Sequence, residues 1–176
     1  MTKPMSEPAD EPVAELEPAF SAPDATPTPW GEARDLLAGA PTYWLTTVRP
    51  DGRPHVTTVS AVWVDGAMYL TTGETEVKAR NLEQNRHVVL TAGRSDMAGL
   101  DVVVEGDAER VREVAVLEAV ADAYRAKYDE LFPFHVRDGA MHLVDLPDEV
   151  LVFRLMARKA FGFRKGDVFS QTRWRF

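Results

Sequence analysis

The chain has no cysteine. Disulfides, zinc–thiolate sites and cysteine nucleophiles are therefore excluded. It also lacks any apolar run approaching the roughly 20 residues that a bilayer-spanning helix needs, so no membrane association is expected. The first residues are acidic and proline-rich and lack the apolar core of a secretory signal, so a cytoplasmic location is expected. A Gly-x-Ser-x-Gly elbow and a Gly-x-x-x-x-Gly-Lys phosphate loop are both missing. Histidine is scarce: His55, His87, His135 and His142 show no metal-ligand spacing, so no metal is expected and each reads as structural or solvated. Positive charge is in deficit as well. The net charge of −8 argues against nucleic acid as a partner.

What is present suits one domain with a real core: 176 residues, 45% of them hydrophobic. The charge is unevenly placed. From Arg154 to Arg175 seven basic residues (Arg154, Arg158, Lys159, Arg164, Lys165, Arg173 and Arg175) face the single acid Asp167. A cationic segment on an anionic chain suggests a local anion site. Residues 1–28 hold six acids, one lysine and six prolines, and are expected to form a disordered tail ahead of a folded domain at 29–176.

Order is expected from Trp30. Trp30, Ala33 and Leu37 fall on one side of a helix that Gly39 and Pro41 end. Tyr43–Val48 reads as a strand, Pro50-Asp51-Gly52 as a turn, and His55–Val64 as a second strand. Its alternation slips between Val56 and Val59, the mark of a bulge. Val64-Asp65-Gly66-Ala67 is a tight hairpin signal, and Met68–Thr72 a third strand. His87–Thr91 and Leu100–Arg110 read as further strands. Val114, Leu117, Ala121, Tyr124 and Tyr128 line one face of an amphipathic helix. Phe132–Phe134 and Asp138-Gly139 read as loop. Val150–Met156 is apolar on both faces and so central, and Ala160–Phe163 and Val168–Phe176 close the fold. Six or seven antiparallel strands with two or three helices make a barrel the expected architecture.

The stretch from Ala67 to Leu82 carries the chemistry. A strand ends in the hydroxyls of Thr71 and Thr72, Gly73 breaks it, and Thr75 is placed to cap a short helix bearing Lys78, Arg80 and Asn81. Hydroxyls, free backbone N–H groups and an ammonium together suit a phosphate. The residues alone leave open a plainer reading, a surface helix whose Lys78 and Arg80 are merely solvated.

Four pieces in order resemble one family: Leu45–Val56 (LTTVRPDGRPHV), Val62–Thr72 (VWVDGAMYLTT), Lys78–Asn85 (KARNLEQN), and Lys159–Phe163 (KAFGF) with Gln171–Phe176 (QTRWRF). They resemble the flavin-binding split β-barrel proteins related to pyridoxamine 5'-phosphate oxidase, and look closest to the actinobacterial branch that uses deazaflavin F420. The resemblance implies a mainly β, α+β, FMN-binding-protein-like antiparallel split barrel, homodimeric, with cofactor sites at the subunit interface. It implies that Thr57, Thr58, Val59 and Ser60 run along the cofactor ring, with His55 at the start of that strand, where it titrates near neutrality. Thr71, Thr72 and Lys78 match the phosphate positions, and Arg80 and Asn81 would reach the tail. Phe163 falls near an aromatic position that packs on the cofactor, and Arg173 and Trp174 would complete the site, from the partner subunit. Trp30, Trp44 and Phe176 are dimer-contact candidates. Trp63 and Tyr69 read as core.

The chain departs from the oxidase proper at Val77, His55 and Ser60, where that enzyme carries basic residues. Vitamin B6 oxidation is therefore not implied. The function implied is hydride transfer between F420 (or FMN) and a small unsaturated or quinone-like substrate. The alternative is a binding or carrier protein of the same fold that holds a flavin, deazaflavin or haem without turnover. A barrel without cofactor is the third reading.

Overall fold

The computed structural model describes residues 11–94, 96–144 and 148–176. Eleven strands and three α-helices are found among them. The strands are β1 (Val13–Leu16), β2 (Tyr43–Val48), β3 (Pro54–Val59), β4 (Ala61–Val64), β5 (Ala67–Gly73), β6 (His87–Ala92), β7 (Gly99–Val111), β8 (Phe134–Arg137), β9 (Ala140–Leu143), β10 (Glu149–Lys165) and β11 (Ser170–Arg175). The helices are α1 (Trp30–Gly39), α2 (Val77–Gln84) and α3 (Val114–Tyr128). Every strand pairing is antiparallel, in the order β1-β11-β10-β7-β6-β2-β3, with the β4–β5 hairpin and the β8–β9 hairpin attached to the first half of β10. The result is an α+β antiparallel split barrel.

β10 organises the barrel. One edge pairs with β7 from Val152 to Lys165, while the other pairs with β5 at Val150–Leu155 and with β11 at Lys159–Arg164. The change of neighbour coincides with a bulge between Ala157 and Lys159, opposite Gly106. A Cβ on Gly106 would sit 2.1 Å from the Met156 carbonyl oxygen, so only glycine admits the bulge here. The extra residue, Arg158, turns its guanidinium onto Asp107, which also meets the His87 ring at 2.7 Å.

The alternation of apolar residues builds two cores. Leu45, Leu90, Val102, Val104 and Ala160 point inward from successive strands and meet Trp30, Ala33 and Leu37 of α1 and Trp174 of β11. Val62, Tyr69, Val152 and Met141 meet Leu117, Val120, Ala121 and Tyr124 of α3. Trp63 is only partly buried and packs against the first core.

Three expectations need correction. The stretch 1–28 is not wholly a tail. Residues 1–10 lie outside the described residues, but Val13–Leu16 pair with Thr172–Arg175, Glu15 binds Arg173, and the Thr28 N–H donates to the Thr172 hydroxyl at 2.9 Å. A composition too polar to form a core of its own still forms an edge strand where a finished sheet offers its hydrogen bonds. The slip in His55–Val64 is a full break. At Ser60 the chain leaves β2 for β5, so one expected strand becomes β3 and β4. The segment read as loop between Phe132 and Asp138-Gly139 forms the β8–β9 hairpin, with Asp138 at φ 53° and Gly139 at φ 79° in its turn.

The break at Ser60 is fastened by α3. Tyr124 donates to the Ser60 carbonyl at 2.9 Å, and Tyr128 both receives the Ala61 N–H and donates to the Ala61 carbonyl. Lys127 donates to the Ala61 carbonyl at 2.9 Å and to the Tyr43 hydroxyl at 2.8 Å, without a carboxylate among its described partners. Burial pulls the Lys127 ammonium down to about 8. Burial also raises the Tyr43 and Tyr124 hydroxyls well above their usual value and raises that of Tyr128. The unfolded chain thus holds the lysine proton longer than the native state, and stability rises with pH between about 8 and 10. Above about 10 the tyrosines ionise more readily in the unfolded chain, and stability falls again. A melting profile across this range should show the maximum, and Lys127→Met should flatten its rising side. A wild-type profile that is level from pH 7 to 10 would overturn this assignment.

Candidate cofactor site

At the elbow between β5 and α2, a cleft of about 430 Å³ opens between the end of β3, the end of β5 and the β8–β9 hairpin. Thr58, Val59 and Ser60 line it from β3, Thr71, Thr72 and Gly73 from β5, and Glu76 and Lys78 from the start of α2. Phe132, Phe134 and Leu143 supply an apolar wall, Val150 adjoins it beside its pairing partner Gly73, and Asp148 and Glu149 also line the cleft. A planar ring can lie on that wall while an anion sits at the elbow.

The elbow forms because Gly73 ends the strand and its carbonyl receives the Glu76 N–H at 3.2 Å, closing one turn before the helix begins. Thr75 is not the cap. Glu76 occupies the N-cap position, and no side chain caps the helix. Its carboxylate turns back instead: Oε1 accepts the Gly73 N–H at 2.7 Å and the Thr72 hydroxyl at 3.0 Å, while Oε2 accepts from the Lys78 ammonium. Thr72 and Lys78 are both buried. Burial pushes the Glu76 carboxyl up, but hydrogen bonds from Lys78, Gly73 and Thr72 and the charge of Lys78 outweigh it and hold the carboxyl below its ordinary range. A hydroxyl, a backbone N–H and an ammonium thus converge on one anionic group. That donor set fits a phosphate as well as it fits this carboxylate.

Six of the expected site residues line the cleft: Thr58, Val59, Ser60, Thr71, Thr72 and Lys78. Val59 contributes mainly backbone, since its side chain packs in the barrel core. Others sit elsewhere. His55 lies back toward the start of β3, half-buried beside Thr47, with Nδ1 3.4 Å from the Thr47 hydroxyl. Burial first, then the charges of Arg49 and Lys78, lower its pKa. Thr57 points inward from β3, and its hydroxyl is buried without a hydrogen-bond partner among the described residues. Arg80 is exposed on α2. Asn81 is committed: its amide donates to the Thr47 hydroxyl at 2.8 Å and is 2% exposed, so it ties α2 to β2 instead of reaching outward.

The C-terminal residues require clearer correction. Phe163 lies at the far end of β10 opposite Gln171, beside Phe161, and does not border the cleft of its own chain. Arg173 is engaged by Glu15 at 2.7 Å. Trp174 is fully buried, with its indole N–H on the Thr28 carbonyl and its ring against Trp30, and is a core residue. The cationic closing segment does not form an anion groove either. Arg158 meets Asp107, Lys159 meets Glu105, Arg164 meets Glu32, Lys165 meets Asp101, and Arg173 and Arg175 meet Glu15. Acids far apart in sequence thus pair six of its seven cations. In the sequence Glu76 is a charge near the start of a helix, with no role in the site, and Phe132–Phe134 reads as loop. The Phe-Pro-Phe spacing and the acid two residues before Lys78 were the only signals available for them.

The fold is an antiparallel split barrel with a hydroxyl, a backbone N–H and an ammonium gathered at one elbow. The family model described as pyridoxamine 5'-phosphate oxidase matches residues 30–153, and the chain belongs to that family. Among curated protein sequences none matches the chain. Several solved structures are similar. A conserved hypothetical protein from Mycobacterium tuberculosis is 24% identical, over 81% of this chain and 88% of that one, with a TM-score of 0.65. A heme binding protein from Mycobacterium smegmatis is 21% identical over 84% of this chain, which spans 58% of its length, with a TM-score of 0.61. An F420 reductase is 21% identical over 72% of this chain and 94% of that one, with a TM-score of 0.54. At these identities the likeness is one of fold. None of the described helices is long and apolar enough to cross a membrane.

Proposed function

We propose that the chain is an oxidoreductase of the F420-using branch of its family, holding F420, or FMN in its place, in the elbow cleft and reducing a small unsaturated or quinone-like substrate. The observation that carries this reading is the convergence of the Thr72 hydroxyl, the Gly73 N–H and the Lys78 ammonium on one anionic group, beside an aromatic wall. In such enzymes the cofactor supplies the hydride, and the protein supplies position and electrostatics. Here Thr72, Gly73 and Lys78 would hold the phosphate. The β3 backbone at Thr58–Ser60 would run along one edge of the ring, and Phe132 and Phe134 would exclude water from it. The departures at Val77, His55 and Ser60 weigh against vitamin B6 oxidation. Titration with F420 and with FMN, followed by fluorescence, tests the reading: saturable binding of one of them is expected, and no saturable binding of either refutes it.

A second reading is a binding protein that holds the cofactor without turnover. It is favoured by the lining of the cleft, where the acids and bases among the described residues are Glu76, Lys78, Asp148 and Glu149, and two of these are already paired to each other. A bound, reduced cofactor that no panel of electron acceptors reoxidises decides for it.

We further propose a homodimer. The outer face of the large sheet carries Trp44, Val56 and Phe163, exposed by 39, 55 and 38%. Register sets Trp44 in one row with Thr91, Val103 and Phe161, with Phe163 two residues beyond Phe161 on β10, three strands from β2, so these side chains share one face of the sheet. An isologous contact would cover it and bring Phe163 and Arg173 toward the partner's cleft. Sedimentation at micromolar concentration should give a dimer, and Trp44→Glu should shift it toward monomer. A wild-type monomer would refute shared sites.

A further inference from the structure

Glu76 already does at the elbow what a bound anion would do. Its two oxygens take three donors from two elements, the Thr72 hydroxyl and Gly73 N–H of β5 and the Lys78 ammonium of α2. The side chain is not serving the helix whose N-cap position it occupies, since it makes no cap hydrogen bond. It is also 47% exposed, while the Lys78 side chain is 9% exposed. The carboxylate can therefore swing out into water, and the ammonium cannot follow it.

We propose that Glu76 is a built-in competitor for the anion cradle, an affinity- and specificity-determining residue that the phosphate of an incoming cofactor must displace. This rests on the reading of the cleft as a cofactor site. A tethered carboxylate competes at the high effective concentration set by its short linkage. An inorganic anion, which gains only the three donors, cannot outcompete it. A phosphate joined to a ring system can, because the ring also gains the wall of Phe132, Phe134 and Leu143. The elbow therefore discriminates by rejecting bare phosphate, not by binding cofactor as tightly as its donors would allow.

The test compares wild type, Glu76→Gln and Glu76→Ala in titrations with FMN, F420 and inorganic phosphate. Melting temperatures should confirm that all three are folded. Glutamine keeps an acceptor for Gly73 and Thr72 but gives up the charge that holds Lys78. Both variants are expected to bind the favoured cofactor at least tenfold more tightly than wild type. Inorganic phosphate should compete with the cofactor in the variants and not in wild type. Wild type binding a cofactor as tightly as both variants, or more tightly, overturns the competitor role and leaves the cofactor site standing. Failure of wild type and both variants to bind either cofactor overturns the cofactor site and the competitor with it.

Discussion

Trp174→Ala is expected to lower the unfolding free energy by about 3–5 kcal/mol, the range for a buried large aromatic, and the melting temperature by roughly 6–20 °C for a chain of this size. The side chain is fully buried and lies in the seam where three parts of the chain meet. Its indole N–H donates to the Thr28 carbonyl at 3.2 Å, its ring meets Trp30 edge-on at 5.5 Å, and Trp30 in turn meets Phe176. One substitution thus opens a cavity, leaves the Thr28 carbonyl without its donor, and loosens the segment that β1 anchors. Gly162 forms the floor beneath the ring, where an added Cβ would lie 2.4 Å from Trp174 Cη2. Gly162→Ala should therefore destabilise the native chain by about 1–3 kcal/mol through overpacking, yet cost little once Trp174 is alanine. Denaturant unfolding of the two single variants and the double variant measures this. A Trp174→Ala loss below about 1.5 kcal/mol, less than half the range expected for a buried aromatic, would show that the seam is not a core.

Local periodicity made most of the fold legible. Tyr43–Val48 is placed by alternation, and helical spacing places Leu117, Ala121 and Tyr124 on the buried face of α3, while Val114 is exposed and Val120 is buried in its stead. Pairing partners were not legible, because pairing is a property of strands distant in sequence. The seven basic residues near the C-terminus show the consequence. Along the chain they form one cationic block, but β10 lies against β7, which supplies Asp101, Glu105 and Asp107. Six of the seven enter partly exposed ion pairs, each worth about 0–1 kcal/mol, instead of forming an anion site. Trp174 was misplaced for a related reason. It sits among basic residues in sequence, but alternation along β11 turns it inward while Arg173 and Arg175 turn outward. The elbow was legible through its hydroxyls, glycine and lysine, which lie within eight residues of one another. The aromatic wall comes from residues more than fifty positions later, and no local pattern could announce it. Glu76 was visible in the sequence, but as a charge near a helix start; that its carboxylate points back to β5 depends on the geometry of the turn.

Lys78→Ala should weaken cofactor binding about tenfold in the wild-type background and about a hundredfold in the Glu76→Gln background. The two numbers differ because the wild-type ammonium exchanges one anion for another. On binding, Lys78 leaves the Glu76 carboxylate for the cofactor phosphate, so its net contribution is the difference between two charge-assisted bonds. Without the carboxylate charge, the whole bond to phosphate, about 1.5–3 kcal/mol, appears in the affinity. Folding stability should change little in either background. The Gly73 N–H and the Thr72 hydroxyl still satisfy Glu76 after Lys78 is removed, and water reaches its exposed side. The difference between the two losses is a coupling of about 1.4 kcal/mol, the equivalent of one factor of ten. Equal losses in the two backgrounds would mean that Lys78 and Glu76 do not share one anion position. No loss in either would remove the lysine from the site altogether, and with it the reason for placing a phosphate at this elbow.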